Sequence, residues 1–224
     1  MSQRLQRYLC KGIFATMSDT PRPPGFDAQR DVLLDAYNLR GLAHPLRLRM
    51  LGILRESGPA TATGLAQRLG ESSAATSYHL RQLAEFGFVV EAEGRGTGRE
   101  RWWRSAHRST YFDPGGHESD ETRLLGEEYL RGVARAYAAR MEAWVDALEA
   151  VPAPWRDAGN MSDYRMELTP AQAKALVDQL DAIGLAHRAD DDPATPRDPA
   201  ARRVAFQFQV IPDPLSVADE QPGD

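Results

Sequence analysis

Between Leu42 and Ser105 the chain runs through three helical patterns in quick succession and then a glycine-tipped hairpin, an order that few folds accommodate. His44-Pro45 breaks a preceding pattern. Pro45 suits the first turn of a helix, where its missing N–H is not needed, and Leu46, Met50, Ile53 and Leu54 mark that helix's apolar face until Gly58-Pro59. Thr61 can cap a short helix carrying Leu65, Ala66 and Leu69, with Gly70 as its exit. Ser72 or Ser73 then caps another helix, expected to run to about Phe86, on which Ala75 or Thr76, His79 or Leu80, and Leu83 share a face before Gly87 stops it. Phe88 to Glu93 reads as a strand, Gly94-Arg95-Gly96-Thr97-Gly98 as a mobile tip, and Arg99 to Ser105 as the returning strand. A dinucleotide-binding reading of these glycines fails, because a phosphate loop needs a helix after it and here Arg101-Trp102-Trp103-Arg104 follows.

The net charge of −5 hides a division along the chain. Residues 40–111 hold 11 Arg against 6 Asp or Glu (+5), residues 112–224 hold 11 basic against 22 acidic residues (−11), and residues 1–39 come to +1. A basic segment coinciding with the helical motif is what a duplex-binding module needs, since neutralising phosphates supplies most nonspecific affinity. No apolar run approaches the roughly 18 residues of a membrane span, and the stretch around Ile13 and Phe14 is too short for a signal-peptide core, so a cytoplasmic address is expected. Cys10 is the only cysteine, which rules out an intrachain disulfide or a paired-cysteine zinc site. No nucleophile motif, metal-ligand cluster or phosphate loop marks an enzyme, and no cofactor is expected.

Three prolines between Pro21 and Pro24 end any helix there, so residues 1–26 are expected to be disordered and the fold to begin near Asp27. Met17 followed by Ser18-Asp19-Thr20-Pro21 is a second plausible start, and the sequence leaves open whether Met1 or Met17 is used. From Ala28 to Ala43, Val32, Ala36, Leu39 and Ala43 predict a first amphipathic helix. After Asp113-Pro114-Gly115-Gly116, a long helix is predicted from Ser119 to Ala150. Leu130, Val133, Tyr137, Met141, Trp144, Leu148 and Val151 follow one another at three- and four-residue steps, close to the 3.5-residue mean of a packed seam. Such a seam packs either on the first helix of its own chain or on a second copy, and dimerisation is the favoured expectation. Beyond Pro152 and Pro154, a strand at Tyr164–Leu168, a helix capped by Thr169 with Pro170 at its first position, and a strand from Arg203 to Ile211 predict a small α/β appendage. Asp190-Asp191-Asp192 is read as a solvated loop rather than a cation site, its carboxylates being consecutive.

The expected fold is therefore mainly α with small β: residues 27–112 as the helix-turn-helix unit, 119–151 as the dimerisation helix, 162–212 as the α/β appendage and 213–224 as a disordered tail. Gly41-Leu42-Ala43-His44-Pro45-Leu46-Arg47-Leu48-Arg49-Met50-Leu51 resembles the opening of the ArsR-type winged-helix repressors. Gly64-Leu65-Ala66-Gln67-Arg68-Leu69-Gly70 with Ser77-Tyr78-His79-Leu80-Arg81-Gln82-Leu83 resembles their helix-turn-helix. The resemblance covers about residues 30–108 and implies a homodimer that binds pseudo-palindromic operators in double-stranded DNA and usually represses. Metal-sensing members carry cysteines on the third helix or His/acid pairs on the last. This chain has neither, so metal sensing is not expected, and a small-molecule effector acting on the C-terminal half is left open.

A recognition helix reads base edges with its N-terminal side chains, which points to Ser73, Ala74, Thr76, Ser77 and His79, with Arg81 at the margin facing either guanine or phosphate. His79 is equally compatible with a buried role that positions the helix. At the hairpin, Arg95, Thr97, Arg99 and Arg101 are expected to reach the DNA backbone or minor groove. Of Trp102 and Trp103, which alternate faces on a strand, one should pack on the helices. The rival reading is a protein-interaction module on the same scaffold, without specific DNA binding.

Overall fold

The computed structural model describes residues 22–94, 100–113, 119–188 and 198–213. The N-terminal expectation to residue 21, the tail beyond residue 213 and the Asp190–Asp192 loop lie outside these residues.

Twelve elements are described: β1 (Asp31–Leu33), α1 (Ala36–Leu42), α2 (Pro45–Ser57), β2 (Ala60–Thr61), α3 (Ala62–Leu69), α4 (Ser73–Glu85), β3 (Val89–Glu91), β4 (Trp102–Ser105), β5 (Ser109–Tyr111), α5 (Asp120–Asp146), α6 (Ala153–Ala158) and α7 (Pro170–Ala186). No described helix is long and apolar enough to cross a membrane. The predicted helix over Ala28–Ala43 is half as long as expected. The Asp27 carbonyl turns the chain by accepting from the Arg30 and Asp31 amides. β1 then pairs in parallel with β5, matching Val32 with Thr110. Only at Asp35 does the helix start, with its carboxylate accepting from the Asn38 amide at 2.7 Å and Asn38 Oδ1 accepting from the Asp35 amide at 2.8 Å. The buried residue of β1 is Asp31, drawn inward by a partner 77 positions away. Arg108 donates Nε and a terminal nitrogen to its two carboxylate oxygens at 3.2 and 2.9 Å.

α2, α3 and α4 form where expected, α3 and α4 capped by Thr61 and Ser72 as predicted and α2 by the His44 side chain, which was not, and β4 lies between β2 and β3 in an antiparallel sheet. The hairpin strands are shorter than predicted: β3 pairs Val89 with Ser105 and Glu91 with Trp103. One core gathers Leu39 and Leu42 of α1, Met50, Leu51 and Leu54 of α2, Leu65 of α3, Leu80 and Leu83 of α4, with Phe88, Val89 and Trp103 from the sheet side. Gly41 is required by close approach, since a β-carbon there would lie 2.7 Å from Phe86 Cβ. The buried guanidinium of Arg55 joins α2 to the end of the sheet by donating to the His107 carbonyl at 3.1 Å and to Thr110 Oγ1 at 2.7 Å. Burial pushes its pKa down to about 10, which leaves it cationic at neutral pH.

α5 starts as predicted at the Ser119 cap. Its buried stripe is Thr122, Gly126, Tyr129 and Gly132, packed on α1 and α2, so packing within the chain accounts for the first half of this helix. Of the predicted seam, Val133 sits against the core, Tyr137, Trp144 and Leu148 are half-buried, and Leu130 and Met141 are exposed. Pro152 and Pro154 do not simply break the chain: Pro152 precedes α6 and Pro154 falls in its first turn, where no amide donor is needed. α7 has the predicted Thr169 capping box, closed by Gln172. The flanking strand expectations are corrected. Tyr164–Leu168 and Arg203–Ile211 are irregular and make no ladder, leaving Tyr164, Met166, Val204 and Ile211 exposed. Period-two patterning makes a strand only where a backbone partner and an apolar layer are supplied, and neither segment finds them.

Burial alone would raise the Asp31 pKa, but the Arg108 hydrogen bonds, the Asp27 amide and the neighbouring cations outweigh it and hold the carboxyl below its ordinary 3.8. A depressed carboxylate pKa stabilises the fold above the ordinary value, and that contribution is lost as pH falls through the folded-state value. Asp31→Asn should therefore cost about 1–3 kcal/mol at pH 7, and urea unfolding below pH 4 should show the gap to wild type closing.

Candidate nucleic-acid interface

The helix-turn-helix is set by local chemistry. Thr61 Oγ1 accepts from the Gly64 amide at 3.1 Å to start α3. Gly70, at φ +69, makes a left-handed exit open to glycine at little cost. Ser72 Oγ accepts from the Ala75 amide at 3.1 Å to start α4. α4 then turns Thr76, Leu80 and Leu83 inward, all at 0 % exposure.

Thr76 is corrected by this geometry. Its hydroxyl donates to the Ala62 carbonyl at 2.8 Å, also lying within 3.3 Å of the Ser72 and Ser73 carbonyls, so it pins α4 to α3 and cannot reach a base edge. Ser73 and Ala74 are exposed at the helix start, Ser77 is half-buried, and Arg81 is exposed one turn further on. Arg81 Nε donates to the Ser77 carbonyl at 3.3 Å, so the guanidinium lies along its own helix, its other nitrogens unengaged by this bond. Tyr78, half exposed, stands on the same outward face and was missed in the sequence. Its signal was present, because a residue two before Leu80 and five before Leu83 falls opposite the buried stripe on a 3.6-residue helix.

At the hairpin root, Arg101 pairs with Glu91 at 3.1 Å and its guanidinium lies 5.8 Å from the centre of the Trp103 ring. Trp103 is the tryptophan that packs on the helices, while Trp102 is half-buried. A cleft of about 340 Å³ opens between α4 and this root, lined by Thr63, Ser77, Arg81, Glu100, Arg101 and Trp103 among others. Two of the predicted arginines therefore meet across one groove. Arg95, Thr97 and Arg99 lie outside the described residues.

His79 takes neither simple form of its two expected roles. Its ring stacks on His44, centroids 4.4 Å apart and planes tilted by 40°, while Tyr78 meets it edge-on at 5.1 Å. Burial, then the His44 ring and the Arg47 guanidinium, hold its pKa below the ordinary histidine range against the opposing pull of Glu71. The helix side of His79 thus touches the start of α2, and its flank borders the outward face.

The helix-turn-helix domain family matches residues 42–92, which span α2 to β3. That segment is a helix-turn-helix domain, and with the hairpin that follows it has the winged arrangement of ArsR-like regulators. A "Possible transcriptional regulator for arsenical resistance" is 30 % identical, over 51 % of this chain and 91 % of its own, with a TM-score of 0.28. Reduced HlyU from Vibrio cholerae N16961 is 24 % identical, over 42 % of this chain and 81 % of its own, with a TM-score of 0.27. A mutant of ZitR from Lactococcus lactis, in apo form, is 13 % identical, over 65 % of this chain and 84 % of its own, with a TM-score of 0.29. Global superpositions at these scores carry no weight, and the likeness rests on the match over residues 42–92 and the order of helix, turn, helix and hairpin. No curated protein matches the chain.

The two faces of α4 separate by mutation. Thr76→Val should cost about 1–2 kcal/mol in chemical unfolding through the lost hydrogen bond to Ala62 and the carbonyls left around it. Ser77→Ala should stay within about 0.5 kcal/mol of wild type, because its side chain carries no fold contact of that kind.

Proposed function

We propose that the protein is a dimeric, sequence-specific DNA-binding transcriptional regulator of the cytoplasm, acting as a repressor. The observation that carries this reading is the outward face of α4. Ser77 and Arg81 line one groove with the Arg101 root of the hairpin, and Ala74 and Tyr78 are exposed on the same helix, on the segment whose local charge is positive although the whole chain is acidic. Ser77 can bond several bases, Ala74 and the Tyr78 ring suit thymine methyls, and Arg81 suits either guanine or phosphate. Arg95, Thr97 and Arg99 would extend the contact along the backbone from the hairpin tip. Salt-sensitive affinity follows from the arginines, and moderate specificity from the short polar set.

In a dimer, two such helices about 34–36 Å apart would read two half-sites on one face of a duplex. Leu130, Tyr137, Met141 and Trp144 on α5, with Leu148 in the turn that follows it, are proposed as the contact, Val133 supporting it from the core side, since two of these large apolar residues are exposed and three half-buried. A small-molecule effector engaging α5 or α7 would act by binding one spacing of the two helices better than another. Metal sensing is not proposed, because α3 contains no cysteine and α5 no histidine beside a carboxylate.

The purified chain should prefer a duplex from its own upstream region over a scrambled one, with log affinity falling steeply with log salt. Arg81→Ala, and separately Arg95→Ala with Arg99→Ala, should weaken binding, and the double variant should shallow the salt slope by about one to two units. Equal binding to both duplexes at low salt would favour the protein-interaction reading instead. Met141→Arg with Leu130→Arg should shift the protein from dimer to monomer in sedimentation, leaving the helix content unchanged.

A further inference from the structure

α2 and α4 meet at a pair of imidazoles, and the local chemistry of that pair is unusual. His44 is the N-cap of α2: its Nδ1 accepts the Leu46 amide hydrogen at 3.2 Å, so the helix start depends on a nitrogen lone pair where an oxygen commonly serves. His79 Nδ1, on α4, is buried without a hydrogen-bond partner. The two rings stack at 4.4 Å, and Tyr78, on the outward face, rests edge-on against His79. Each charged neighbour can be named. Arg47 of α2 faces both rings with positive charge, and Glu71, in the turn before α4, is the acidic group facing them. Arg47 donates to the Arg40 carbonyl at 2.7 Å, while its Nε is buried without a partner.

We propose that His44 and His79 form a proton-sensitive positioning contact for the recognition helix, so that the DNA-reading arrangement of α4 and Tyr78 holds while both rings are neutral and loosens when either takes a proton. Protonated at Nδ1, His44 has no lone pair for the Leu46 amide and the cap opens. A proton on either ring sets a second positive charge beside the Arg47 guanidinium, and the one carboxylate of Glu71 cannot balance both. The strain falls on the stacked contact, and through it on Tyr78. The signs of the shifts agree: burial first and Arg47 next hold His44 below the ordinary 6.5, and His79 is held low in the same direction. A lowered histidine pKa means that the folded arrangement is fully favoured above the ordinary value and loses stability as pH falls through it towards the folded-state value.

This inference rests on the DNA-binding reading, and its sign separates it from simple electrostatics. Added positive charge near a duplex should strengthen binding, whereas loss of the helix position should weaken it. The experiment is a titration of the full chain against the duplex from its own upstream region, at fixed ionic strength from pH 7.5 to 5.5, with circular dichroism at each pH. Wild type should lose about tenfold or more in affinity over that range with its helix content retained. His44→Asn, which keeps a capping acceptor and removes the titration, should bind at pH 7.5 within about threefold of wild type and show a flatter profile, and His79→Gln should flatten it too. Affinity that rises on acidification, or a wild-type fall that both variants retain, would overturn the positioning contact while leaving DNA binding standing. Absence of duplex preference at every pH would overturn the DNA reading and this inference together.

Discussion

The outward face of α4 exists because one stripe of that helix is buried against everything else. Thr76, Leu80 and Leu83 are wholly enclosed, and Thr76 adds a hydrogen bond to the carbonyl of Ala62 at the start of α3. That bond matters because helix packing alone permits rotation about the helix axis and small slides, whereas a directional bond between two helices excludes both. With three positions committed inward, Ala74, Ser77, Tyr78 and Arg81 have nowhere to point but out. The surface chemistry of the site follows from what the core takes.

The sheet holds the hairpin root in register with α4. β4 pairs with β2 at the entry to α3 and with β3 at the exit of α4, so Arg101 and Trp103 are carried to the same groove that Ser77 and Arg81 line. Arg55 and the Asp31–Arg108 pair fasten the far end of this sheet to α2 and β1. Both are charged groups removed from water, which is costly unless every strong donor is matched, and each is held by several hydrogen bonds. α5 packs on α1 and α2 and so joins the same body.

The helix-turn-helix was legible in the sequence because its instructions are local. Pro45, Thr61, Gly70, Ser72 and Gly87 act within three or four residues of themselves, and the starts of α2, α3, α4, α5 and α7 are where those signals put them. The arginine at the hairpin root and the exposed start of α4 were legible for the same reason. What failed was patterning without a local partner. Val32 has helical spacing to Leu39 but sits in a strand, and the alternating segments at Tyr164 and Val204 have strand spacing but no ladder.

By itself, then, the sequence determined the helix starts and stops, the basic character of the segment that carries them, and the membership of the apolar core, because caps, charges and helical periodicity are properties of neighbours along the chain. Tertiary structure decided which polar side chains are free. Thr76 and Ser77 are adjacent and chemically alike, yet one is locked to a carbonyl 14 residues earlier and the other opens on the groove. His79 was equally suited to reading or to packing until His44, 35 positions away, came to lie against it. A side chain's role at an interface is set by what remains after distant partners have claimed it, and distance in the chain carries no record of that claim.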